Sequence, residues 1–180
     1  CELPGIGRPA ERLKAFYVAA VDCLTKAWGT ALAPAGITLN APGVEVEAVT
    51  TNACGAVPAK DEAVAFYCGA VIYMHRDRLL ADAGLSEAIH LQVLAHEFGH
   101  HVQDQAKILI GADRRGTGLE ANDPEQLLLS RRVELQANCF SGMFLSSAQA
   151  GGTITRATAN AAVRSFSSAT AATASAASSP

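Results

Sequence analysis

The stretch Ala95-His96-Glu97-Phe98-Gly99-His100-His101-Val102-Gln103 decides how the rest of the chain is read. It contains two histidines four residues apart, with a glutamate directly after the first. On a helix four residues advance by about 400°, which places His96 and His100 one turn apart on nearly one face, within reach of a single metal ion. Glu97 sits at the edge of that face, where it does not bind the ion but can hold and deprotonate a water. His101 is rotated from the pair by about 100° and is expected to pack or to hydrogen-bond. Gly99 costs about 1 kcal/mol relative to alanine inside a helix. Its presence there predicts a neighbour, most simply a second helix, packed too closely to admit a side chain.

The flanking pattern supports the helix. Ile89, Val93, Leu94, Phe98, Val102 and Ile108 recur at helical spacing, with Ser86 as N-cap and Gly111 as stop, so a helix is predicted from Ser86 to about Ile110. Downstream, 111–123 is polar and glycine-rich and reads as a mobile loop. Asn122 or Asp123 then caps a long helix with Pro124 in its first turn, ending at Gly151-Gly152. A shorter helix is expected from Thr153 to about Ser168. The remaining 169–180 is an Ala/Ser/Thr tail of low complexity, leaving one domain over 1–168.

Upstream, Leu13, Phe16, Tyr17, Ala20, Leu24, Ala27 and Trp28 define a first helix from about Pro9 to Gly29. Val44 to Thr50 alternates apolar and polar residues, as a half-buried strand does, and Ala65 to Met74 is a second strand candidate. The fold class is therefore α+β, mainly helical, with a small antiparallel sheet packed against the histidine helix.

Zinc requires at least a third protein ligand. Glu134, in Arg131-Arg132-Val133-Glu134-Leu135-Gln136-Ala137-Asn138, is the candidate. It lies in a stretch that reads as core, where an unpartnered carboxylate would be costly. The plainer alternative is an ion pair with Arg131 one turn earlier. Asn138, four residues on, shares the face of Glu134 and can accept a hydrogen bond from the outer nitrogen of a liganding histidine, orienting its ring. His75 and His90 have no ligand spacing to anything and read as satisfied or surface histidines, although His75 at a strand end could reach a cleft. Tyr67 and Tyr73 read as core residues.

HEFGHHVQ followed by RRVELQANCFSG resembles the putative neutral zinc metallopeptidase family of bacteria, in which an HExxHHxQ helix precedes an ELQADCxAG-type helix. The cysteine-bracketed segment ending Phe66-Tyr67-Cys68 is similar to that family's CG…FYC element. The resemblance implies a zincin-like domain with Zn2+ held by His96, His100 and Glu134, and Glu97 as general base in peptide-bond hydrolysis. It also implies a peptide or protein substrate, and endopeptidase rather than exopeptidase action. Asn138 stands where the family pattern has aspartate and adds no negative charge to its histidine. A zinc-binding pseudopeptidase that serves as a binding or structural module is therefore the alternative. A helical interaction module without metal is a third reading.

Composition narrows the setting. With 49% hydrophobic residues, a formal charge of -3 and scattered Lys/Arg, no nucleic-acid partner is expected. No apolar run approaches the ~20 residues of a membrane span. A chain opening on Cys1 reads as a processed export product or a trimmed chain. Five cysteines without a CxxC pair favour disulfides, with Cys54–Cys68 and Cys1–Cys23 as the expected pairs and Cys139 as a buried thiol. The expected location is secreted or in the cell envelope.

Overall fold

A computed structural model describes residues 1–47, 49, 51–56 and 63–165. The low-complexity tail expected over 169–180, and the end of the preceding helix, lie outside the described residues. The elements follow the order α1 (Ala10–Leu32), β1 (Gly43–Glu45), β2 (Thr51–Asn52), β3 (Gly55–Ala56), β4 (Ala65–Cys68), β5 (Val71–Met74), α2 (Arg76–Ala83), α3 (Glu87–Gln105), α4 (Ile108–Gly116) and α5 (Pro124–Ala150). A final helix, α6, covers 156–165.

The centre of the molecule is α3. Ala88, His90, Leu91, Leu94, Ala95, Glu97, Phe98, Gly99, His101, Val102 and Gln103 are all buried, so this helix is covered on most of its circumference rather than along one stripe. Its largest interface is with α5, and α1 and the sheet pack on other sides. The predicted face of α1 is the one that faces inward, with Leu13, Phe16, Tyr17, Ala20 and Leu24 all fully buried. Trp28, at the far end of that face, meets Phe140 of α5 with ring centroids 4.8 Å apart. At roughly 25 cal/mol per Å2, burying each of these large apolar side chains contributes about 1.5–3 kcal/mol, and that packing fixes the position of α3.

The α+β class holds, but several boundaries move. Helix α1 runs through Gly29 to Leu32 and ends where Pro34 enters a 3-10 turn closed by Gly36 in the left-handed region. A single interior glycine weakens a long amphipathic helix without terminating it. The sheet has the order β1-β5-β4 and is mixed. The two expected strands, Val44 to Thr50 and Ala65 to Met74, do not pair antiparallel: the second folds into the antiparallel hairpin β4–β5, and β1 runs parallel to β5, Val44 beside Ile72. The alternating segment from Val44 to Thr50 is strand only as far as Glu45, and residues 48 and 50 lie outside the described residues. The β4–β5 turn is made by Gly69 and Ala70, both with positive φ.

Helix α2 was not expected. It is too short for a clear apolar period, burying only Leu79. The histidine helix stops at Gln105 rather than near Ile110, because Lys107 adopts φ 63° and turns the chain out of the helix. The segment read as a mobile loop then begins as helix α4, which lies against α3 and α5. At α5 the capping expectation holds: the Asp123 side chain accepts from the Glu125 backbone N–H at 2.8 Å, and Pro124 occupies the first turn.

Cys1–Cys23 and Cys54–Cys68 are disulfides, as paired from the sequence. Cys139 is a free thiol and is exposed, not buried. The inward face of α5 is set by Ala137, Ser141, Phe144, Leu145 and Ala148, and Cys139, two residues from both Ala137 and Ser141, projects to the opposite side.

Candidate metal centre

Two helices bring the candidate ligands together. His96 and His100 project from successive turns of α3, their ring centroids 4.8 Å apart and their planes at 88°. Across from them, on α5, the Glu134 carboxylate places one oxygen 3.2 Å from His96 Nε2 and the other 3.5 Å from His100 Nε2. One ligand atom from each residue falls within 4.8 Å of the other two. Tetrahedral coordination with bonds of about 2.0–2.1 Å separates neighbouring ligand atoms by about 3.3 Å, so both histidine–carboxylate distances suit one shared zinc ion.

The outer nitrogens of both rings are engaged. Asn138 Oδ1 lies 2.8 Å from His96 Nδ1, and Gln103 Oε1 lies 2.9 Å from His100 Nδ1. An amide oxygen only accepts, so each bond calls for a proton on Nδ1 and leaves Nε2 to bind a metal ion or, when protonated, to donate to Glu134. The Gln103 amide is itself fixed, because its nitrogen donates to Val133 O at 2.8 Å and to Gln136 Oε1 at 2.9 Å. This fully buried side chain therefore orients His100 and also ties α3 to α5. Sequence reasoning gave Gln103 no role, although its place three residues after His100, on the same helical face, was a usable signal.

Gly99 explains how the helices come so close. A Cβ built there would lie 2.9 Å from Ala137 O and 3.0 Å from Ala137 Cα, backbone atoms one turn beyond Glu134. The close neighbour expected from the sequence is α5.

Glu97 is buried and 7% exposed. Burial pushes its carboxyl above the usual range, opposed by the adjacent His96 and His100 and by a hydrogen bond from the Tyr67 backbone N–H. Glu134 behaves in the opposite way: hydrogen bonds from His100 and His96 hold it far below the usual carboxylate range. Burial opposes protonation of His100, but its bond to Glu134 and the charges of Glu97 and Glu134 outweigh burial and raise its pKa.

One part of the case for Glu134 needs correcting. Its side chain is 56% exposed and the adjacent Leu135 is 61% exposed, so burial does not force a partner on it. It opens toward solvent at the mouth of a cleft and meets both histidines, and no pairing with Arg131 occurs among the described residues.

The remaining histidines serve structure. His101 is buried, with Nε2 2.7 Å from Asn40 O and Nδ1 3.1 Å from the Tyr67 hydroxyl. That hydroxyl also donates to Asp104 at 2.8 Å, which leaves Tyr67 as a support for α3. His90 is satisfied by Tyr17 Oη at 2.5 Å and Gly84 O at 3.0 Å. His75 precedes α2, and its ring lies 5.7 Å from that of Phe66 at a tilt of 43°.

β4 is an edge of the sheet beside α3. The His75 N–H bonds Val64 O, so by alternation Phe66 and Cys68 direct their backbone groups at β5 while Ala65 and Tyr67 direct theirs outward. The Tyr67 N–H reaching Glu97 agrees with that register.

Comparison with known proteins gives this geometry a family. The chain is 33% identical over 139 residues to the uncharacterized protein YpfJ of Escherichia coli strain K12, and equally to that of E. coli O6:H1. The match covers 71% of this chain and 45% of each relative, so it spans less than half the length of the curated relatives. No solved structure matches significantly. The profile described as "Putative neutral zinc metallopeptidase" matches residues 10–174, nearly the whole chain, and the chain belongs to that family.

Proposed function

We propose that this chain is the hydrolytic domain of an exported zinc endopeptidase, with His96, His100 and Glu134 holding the ion and Glu97 moving the proton. The observation that carries the reading is the convergence of two Nε2 atoms and a carboxylate, with the outer nitrogen of each histidine held by an amide oxygen. The donor set, two imidazoles and one carboxylate, is the type that leaves zinc an open position for catalysis. When bound, zinc supplies Lewis acidity, making water acidic near neutral pH and polarising a carbonyl.

The protein's own groups do the rest. Asn138 and Gln103 keep the rings aimed. Glu97 accepts a proton from the attacking water and delivers it to the departing amine nitrogen. The outer edge of β4, where the Ala65 backbone groups and the Tyr67 carbonyl face away from β5, suits an extended peptide added as a further strand, which favours cleavage within a chain. Two disulfides agree with an extracytoplasmic location.

The test combines metal analysis with hydrolysis of casein. Zinc should bind at one equivalent to the wild type and to Glu97→Gln. Casein cleavage should fall in Glu97→Gln by at least the ~10²–10⁴-fold of a lost general base. Equal turnover in the two proteins removes Glu97 from the mechanism. Zinc binding with no turnover in either assigns the domain to binding rather than hydrolysis.

A further inference from the structure

A cleft of about 170 Å3 lies between α4 and α5, and Glu134 forms part of its lining. Ala112, Leu129 and Val133 contribute apolar surface, and Asp113 and Gln126 contribute polar groups. No lysine or arginine lines it. The volume is below the ~300–1,000 Å3 of a pocket that engulfs a whole small ligand, so its size suits one side chain of a peptide whose backbone stays outside.

One carboxylate in this cleft lacks a matching cation. Asp113 pairs with no cation among the described ion pairs, since the nearby Arg115 is bonded to Glu125. The Gln126 Oε1 atom is buried against Gly116 at the end of α4 and does not open into the cleft, so the acidic part of the lining is Asp113 and Glu134. Arginine or lysine suits this lining: the aliphatic stem lies on Leu129 and Val133, and the cationic head supplies donors to Asp113. Leucine would meet only the apolar surface, and aspartate would be repelled.

We infer that this cleft is a specificity pocket for a basic side chain, so that the substrate class is peptides carrying arginine or lysine next to the scissile bond. The inference rests on the peptidase reading for its meaning, but the pocket can be tested apart from hydrolysis.

The probe is a set of fluorescent Gly/Ala decapeptides with a central Arg, Lys, Leu or Asp, titrated by anisotropy into the zinc-loaded Glu97→Gln protein. Asp113 is exposed, so the expected preference is modest, with Arg and Lys binding about fivefold tighter than Leu and Asp weakest. Asp113→Asn in the same background should bring the Arg-to-Leu ratio near one, and Asp113→Lys should move the ranking toward Asp. Equal affinities, no measurable binding of any peptide, or an arginine preference that survives Asp113→Asn overturns the pocket. Digestion of the same peptides by zinc-loaded wild type is read separately: failure to cut any of them counts against the peptidase reading, while the affinity ranking still decides the pocket.

Discussion

Substituting Gly99 by alanine tests whether close helix contact is what assembles the centre. The added methyl would sit 2.9 Å from Ala137 O, 3.0 Å from its Cα and 3.2 Å from its Cβ, where ordinary contact begins at 3.4 Å. Two of these are backbone atoms, so no rotamer change relieves the clash, and α5 must withdraw by about 0.5 Å. Helix propensity returns about 1 kcal/mol, and overpacking costs about 1–3 kcal/mol. The net loss is then about 0–2 kcal/mol, or up to ~8 °C in Tm for a domain of this size.

The larger effect is expected at the metal. Glu134 lies one turn before Ala137 and Asn138 directly after it, and ligand distances tolerate only about 0.2 Å. Zinc affinity, measured by competition with a chromophoric chelator, should fall by about 10–100-fold, the range seen when the partners of metal ligands are disturbed. Gly142→Ala is the control. That glycine is also within α5, but its notional Cβ meets nothing within 4 Å, so the variant should gain up to about 1 kcal/mol and keep its zinc affinity. A Gly99→Ala protein that melts higher than wild type and binds zinc equally well would refute the argument.

Further outcomes follow from other contacts. Asn138→Ala should weaken zinc binding by about 10–100-fold in the chelator assay, and Asn138→Asp should strengthen it, because a carboxylate makes His96 a better donor. Burial lowers the pKa of His90, so the unfolded chain takes up this proton more readily. The contribution is present above about pH 6.5 and is lost as pH falls below it, and denaturant unfolding from pH 7.5 to 5 should show a shallower slope in His90→Gln than in wild type. An unchanged slope would mean that His90 does not titrate differently in the folded state. Replacing Cys54 and Cys68 together by serine should cost about 3 kcal/mol, given their separation of 14 residues, and urea unfolding with intact Cys1–Cys23 measures it.

The parts legible from sequence are those where one strong local rule acts. The spacing of His96 and His100, the inward face of α1 and the Asp123-Pro124 start of α5 each reflect a helical period or a cap, and neither depends on knowing the neighbours. The parts that were missed depend on tertiary context. Lys107 carries no sequence mark of a left-handed residue, so α3 and α4 read as one helix and a loop. Helix α2 buries only Leu79 and has no period to detect. The parallel pairing of β1 with β5 joins residues 28 apart in sequence, which the local alternation from Val44 to Thr50 does not encode. On α5, apolar residues occur all round the helix, which hid that Leu135 and Cys139 face outward while Ala137 faces Gly99. Gln103 was visible in the motif but silent, since a role held between His100 and the backbone of Val133 exists only once α5 is in place.

The break at Lys107 separates two kinds of change that this scaffold can undergo. The histidines, Glu97 and Gly99 lie before it, on a helix pressed against α5 with no slack. Ala112 and Asp113 lie after it, on a short helix that begins at a single left-handed residue and packs on α3 and α5. A change of φ and ψ there acts first on the α4 wall of the cleft, since every proposed ligand lies on α3 or α5. Lys107→Gly, which removes the steric cost of the positive φ, is thus a natural starting point for changing what the domain recognises without rebuilding what holds its metal.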